Sequence, residues 1–198
     1  MIVIIDYGLG NLASVKNALD KIGVLSQISD DPKVIKKSKG IILPGVGAAG
    51  DGMKNLKAKG LDKVIKKEIK KGKLFIGLCL GMQLLFDYSE EDNTECLGII
   101  PGKVKLFKIK SKVPQIGWNN VKGQGKLFND IARNSYFYFV HSFYCEPTDP
   151  SVITGETEYD IKFCSALNDK NIFATQFHPE KSDDNGLKLL ENFTKECA

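Results

Sequence analysis

The chain has 198 residues, 42% hydrophobic and 26% charged, a composition that fits one globular domain spanning 1–198. Its net charge of +4 rests on 28 basic residues of which only Arg133 is an arginine; with bidentate Arg forks nearly absent, nucleic acid is not expected as a partner. The longest mostly apolar stretch, Leu74 to Phe86, is too short to span a bilayer and no leader precedes it, so a cytoplasmic protein without a membrane partner is expected.

Taken in chain order, Ile2–Ile5 reads as a buried strand, and Leu12, Val15, Leu19 and Ile22 then recur at helical spacing until Gly23. Val24–Ile28 is a second strand, Asp31-Pro32 opens a short helix, and Gly40–Leu43 is a third strand. Leu61, Val64, Ile65 and Ile69 define an amphipathic helix closed by Gly72, whose lysine run 66–71 is a solvated face. Leu74–Gly77 is a fourth strand and runs into a helix from about Gly81. The second half is richer in strands: Lys103–Ile109, Tyr136–Val140, Val152–Thr157, Ile161–Leu167 and Ile172–Phe177. A last helix carries Leu187, Leu190 and Phe193 on one face. The alternation predicts an α/β fold with a mixed, mostly parallel central sheet and helices on both faces. Chemistry then belongs at the carboxyl ends of the parallel strands.

Residues 8–13, Gly-Leu-Gly-Asn-Leu-Ala, follow the first strand with the glycine spacing of a dinucleotide-binding fingerprint, and Asp30 stands where a ribose-binding acid would. In that fingerprint the strand runs directly into the first glycine, whereas here Asp6 and Tyr7 intervene. The motif is therefore either a cofactor loop or a look-alike.

A second glycine pattern carries more. Gly77-Leu78-Cys79-Leu80-Gly81 is the thiol counterpart of the Gly-x-Ser-x-Gly nucleophile elbow. A sharp strand-to-helix turn strains the central residue, and side chains two positions to either side would collide. Cys79 would sit at a helix amino terminus that favours its thiolate, with the Leu80 N–H aimed at a developing oxyanion. The other cysteines (Cys96, Cys145, Cys164, Cys197) read as small buried hydrophobes, and the set shows neither disulfide nor metal-ligand spacing. The chain has two histidines. His178 and Glu180 flank Pro179 in extended chain, so the carboxylate can orient the imidazole toward the thiol. His141 lacks such a neighbour and reads as a core residue. Pro44-Gly45-Val46-Gly47 ends the third strand with main chain free to approach a ligand, a second oxyanion donor at Val46 or Gly47.

These stretches, with Ile116-Gly117-Trp118-Asn119, His141-Ser142-Phe143 and residues 176–182, resemble the class I (triad) glutamine amidotransferases over the whole chain. Within them the likeness is to glutaminase subunits that pass ammonia to a separate (β/α)8-barrel cyclase of histidine biosynthesis. The resemblance implies a Cys79-His178-Glu180 triad, an oxyanion hole at Leu80 and Val46–Gly47, and glutamine as substrate bound by Gly47, Gln83, Glu91, Ser142 and Phe143. It implies no cofactor and no metal. It also implies that the 8–11 loop faces the partner subunit, together with Trp118 and Lys181. A paralogue feeding ammonia to a sugar amidotransferase would carry the same residues, and a dinucleotide-binding protein remains the distant alternative.

Overall fold

Strand β1 (Ile2–Ile5) is buried on both faces, and its side chains alternate between two separate cores. Val3 and Ile5 join one core and Ile2 and Ile4 the other. The computed structural model describes residues 1–197. After β1 come α1 (Leu12–Lys21), β2 (Ser26–Ser29), α2 (Pro32–Lys37), β3 (Gly40–Leu43), α3 (Ala49–Ala58), α4 (Leu61–Lys70), β4 (Leu74–Leu78) and α5 (Leu80–Gln83). The remainder is β5 (Tyr88–Ser89), β6 (Thr94–Glu95), β7 (Gly102–Leu106), β8 (Gln115–Gly123), β9 (Asn134–His141), β10 (Phe143–Pro147), β11 (Ile153–Tyr159), β12 (Ile161–Asp169), β13 (Ile172–Thr175) and α6 (Asp183–Glu196).

Strands β2, β1, β3, β4 and β13 lie side by side and all parallel, and the sheet continues antiparallel through β12 and β10. Val15 and Leu19 of α1 and Leu189 and Phe193 of α6 cover one face. Met53 and Leu56 of α3 and Leu61 and Ile65 of α4 cover the other. The expected α/β architecture, with a parallel centre and helices on both faces, is the one observed.

The differences are local. The second strand is Ser26–Ser29, not Val24–Ile28, because Val24 N–H still bonds back to Leu19 of α1 and Leu25 stands 73% exposed. No helical period marks α3 in the sequence, since Gly50 and Gly52 disguise it. A Cβ at Gly52 would come 3.1 Å from Leu84, so close packing accounts for that glycine. Strand β8 was also not expected. Trp118 lies inside it, paired with Tyr138 of β9, and not in a turn.

Candidate active site

Strands β4 and β13 are parallel neighbours, so their carboxyl ends deliver Cys79 and His178 to the same edge of the sheet. Cys79 has φ +54°, a conformation that L side chains rarely adopt, and its N–H is held by the Thr175 carbonyl at 2.7 Å. The glycines of the elbow are explained by contacts. A Cβ at Gly81 would run into the Leu43 carbonyl, and one at Gly77 into the Gly81 carbonyl. The helix behind Cys79 is a single turn, Leu80–Gln83, so its dipole is smaller than that of the longer helix expected there. Leu80 opens that turn, which leaves its N–H without an intrahelical acceptor.

His178 Nδ1 lies 2.8 Å from Glu180 Oε1, and both side chains are 3% exposed. Burial alone would lower the imidazole pKa, but the Cys79 thiolate beside it and the Glu180 carboxylate outweigh that and push it up to about 10. Nε2 is buried without a hydrogen-bond partner among the described residues, with Cys79 as the charge beside it. His141 is different. Its ring is buried between the Phe143 carbonyl at 2.7 Å and Gln115 at 3.1 Å, and burial lowers its pKa to about 4. It is the core histidine expected.

In front of Cys79 opens a cavity of about 510 Å³. Its lining brings Val46, Gly47, Leu80, Gln83, Glu91, Ser142, Phe143 and Lys181 to Cys79. Glu91 Oε2 accepts from the Ala49 N–H at 2.7 Å, so one oxygen holds the start of α3, and desolvation raises the carboxyl pKa despite that bond. The Pro44 carbonyl accepts from the buried Tyr7 hydroxyl at 2.9 Å. Gly47 has φ +108° and open space around it, with only Leu9 near.

Pro114 and Val140 also line the cavity and were not singled out from the sequence. Gln176, whose amide lies 3.6 Å from Cys79 Sγ, was not either. Its only signal was its place two residues before His178.

The 8–11 loop lies along the end of β3. A Cβ at Gly10 would stand 3.4 Å from the main chain of Pro44 and Gly45, and Asp30 is held by Lys59 at 2.8 Å. Asn11 is exposed and its side chain caps α1 through the Ser14 N–H at 3.2 Å. Lys181 sits with its ammonium 5.9 Å from the Tyr138 ring centre, and Trp118, 48% exposed, meets the same ring edge-on at 6.2 Å. Asn11 thus lies beside the strand end at the cavity, while Trp118 and Lys181 share Tyr138.

The glutamine amidotransferase class-I family model matches residues 3–197. Imidazole glycerol phosphate synthase subunit HisH of Dehalococcoides mccartyi (strain ATCC BAA-2266 / KCTC 15142 / 195) is 48% identical over 198 residues, covering 98% of this chain and 97% of that protein. Subunit HisH 1 of Methanococcus maripaludis is 47% identical over 202 residues, covering 98% and 99%. Among solved structures, a glutamine amidotransferase superposes with TM-score 0.78 at 18% identity over 98% of this chain and all of its own. PurLQS from Thermotoga maritima gives TM-score 0.78 at 18% identity over 100% and 98%. These two likenesses speak to the fold.

Proposed function

The chain belongs to the class-I glutamine amidotransferase family, and we propose that it performs that family's chemistry through Cys79, His178 and Glu180. It hydrolyses glutamine to glutamate and ammonia, and the ammonia feeds the cyclase subunit that makes imidazole glycerol phosphate and AICAR in histidine biosynthesis. The observation that carries the residue assignment is the strained Cys79 elbow set against a buried His178–Glu180 pair at 2.8 Å.

The Cys79 thiolate attacks the γ-carboxamide carbon, and the carbonyl oxygen takes the negative charge. The Leu80 N–H and an N–H from Val46 or Gly47 stabilise it. The intermediate collapses as the C–N bond breaks, and protonated His178 gives its proton to the departing ammonia. A γ-glutamyl thioester remains on Cys79. His178, now neutral, takes a proton from water, whose oxygen forms the new bond to carbon and releases glutamate and thiolate. Glu180 holds the imidazole in register throughout.

Gly47, Gln83, Glu91 and the main chain at Ser142–Phe143 hold the substrate. With one Glu91 oxygen engaged at Ala49, the other is left as the partner for a substrate ammonium in the cavity that Glu91 lines. A (β/α)8-barrel cyclase docks on the face of Asn11, Trp118 and Lys181. The protein acts as one glutaminase domain over 1–198, without metal or cofactor, in the cytoplasm. No helix among the described residues is long and apolar enough to cross a membrane.

The decisive test pairs two ammonia sources in the assembled synthase. Cys79→Ala abolishes glutamine-dependent synthesis and spares synthesis from added ammonia. Glutamine turnover within tenfold of wild type would remove Cys79 from the nucleophile role.

A further inference from the structure

Two side-chain amides run in line from the lip of the cavity to the nucleophile. Gln83 Nε2 donates to the Phe143 carbonyl at 3.3 Å and to Gln176 Oε1 at 3.1 Å. Gln176 Nε2 lies 3.6 Å from Cys79 Sγ. Gln176 is completely buried and its own N–H is taken by the Ser165 carbonyl, so this side chain has no route to solvent.

The polarity of the relay follows from which groups can only accept. A main-chain carbonyl never donates, so the end of Gln83 that meets Phe143 is its NH2. The second hydrogen of that NH2 needs an acceptor, and the Gln176 carbonyl oxygen supplies it. Only the donor end of Gln176 is then left for the sulfur. The cysteine has a partner in each protonation state: a thiol hydrogen has the Val140 carbonyl at 3.9 Å, and a thiolate has the Gln176 N–H.

Resting on Cys79 as the nucleophile, we propose that Gln176 is the neutral donor that steadies the Cys79 thiolate, oriented by the Gln83–Phe143 relay. The site needs one. The turn behind Cys79 is too short for a large dipole, and the Leu80 N–H is reserved for the oxyanion. A carboxamide also suits the place because it carries no charge. A lysine there would trap the thiolate as an ion pair, whereas an amide supports it and does not compete with His178 for the proton. The same relay settles what Gln83 offers the substrate. Both its hydrogens are engaged, so what this cavity-lining residue has left to offer is its carbonyl oxygen, an acceptor for a substrate N–H.

The test is the pH profile of Cys79 alkylation by iodoacetamide in the assembled synthase, read by the mass of the Cys79 peptide beside glutaminase activity. Gln176→Met removes the donor, and Gln176→Glu keeps an acceptor for Gln83 while replacing the donor by a like charge. Both variants move half-maximal alkylation to higher pH, Glu further than Met, and slow alkylation at pH 7 by about tenfold or more. Profiles that overlay the wild type overturn the proposal. Alkylation of Cys79 that leaves glutamine turnover intact overturns the nucleophile assignment itself, a separate result. Should the variants not fold, the wild-type chain still decides. The Gln176 side-chain amide resonance shifts with the alkylation midpoint and loses that shift in Cys79→Ala. A resonance that ignores Cys79 sinks the idea.

Discussion

The main-chain N–H of His178 donates to the carbonyl of Tyr138 at 2.9 Å. The N–H of Tyr138 in turn donates to the Ser182 hydroxyl oxygen at 3.0 Å, and its ring meets both Trp118 and Lys181. The proposed base therefore hangs on the same residue that Trp118 pairs with across β8 and β9.

Trp118→Ala weakens the complex with the cyclase subunit by about 2 kcal/mol or more, the loss typical of an exposed aromatic anchor. The isolated chain melts nearly as before, because the ring is half in solvent already. Titration calorimetry beside thermal melts reads both. A large drop in melting temperature with unchanged partner affinity would return Trp118 to the fold.

The pH dependence follows from the His178 pKa of about 10, above the ordinary 6.5. The native state keeps a proton that the unfolded chain releases, so the stabilisation is full below pH 6.5 and is lost as pH rises through 10. The stability gap between wild type and His178→Gln accordingly shrinks across that window in urea melts. In Cys79→Ala the imidazole titrates lower, since burial stays and the thiolate is gone. An NMR titration midpoint unmoved by that substitution would show that the two groups are not coupled.

Glu180→Ala slows glutamine hydrolysis less than Cys79→Ala does, since an orienting carboxylate matters less than the nucleophile it serves indirectly. Steady-state glutamate release measures it. Equal severity in a folded variant would give Glu180 a larger part than orientation.

Much of this was legible in the sequence, and the residues show why. The elbow could be read because the turn is marked locally: Gly77 is forced by the Gly81 carbonyl four residues on and Cys79 between them is bent to φ +54°, although Gly81 itself answers to the distant Leu43 carbonyl. The two cores could be read because β1, β3 and β4 are short apolar runs between helical periods. Helix α3 could not, because its glycines answer to Leu84 and to Asp92, residues far along the chain. Strand β8 carries polar and exposed residues through most of its length, so no alternation marks it. Gln176 was hidden for a related reason. A buried amide declares its partners only when Gln83 and Cys79 have been brought beside it.

Idling is the last expectation. Tyr7 pins the Pro44 carbonyl, which leaves the peptides on either side of Val46 as the ones free to turn, with Gly47 unobstructed. With a carbonyl inward, the oxyanion meets another acceptor, and losing one donor costs on the order of a hundredfold or more in rate. The chain alone therefore releases glutamate at least about a hundredfold more slowly than the complex loaded with the acceptor ligand. Equal rates alone, with partner, and with partner and ligand would mean a preformed hole.

A Cβ at Gly10 would stand 3.4 Å from the main chain of Pro44 and Gly45, an ordinary contact, so it is the φ of +105° that asks for glycine there. A left-handed turn makes the same demand whether the loop it shapes receives a pyrophosphate or lies along another strand end. The spacing that imitates a cofactor fingerprint is thus a record of how the chain turns, silent about what is near. Here the near thing is the strand end proposed to serve the oxyanion, so a side chain added at residue 10, strained at that φ, would register as a change in glutamine chemistry.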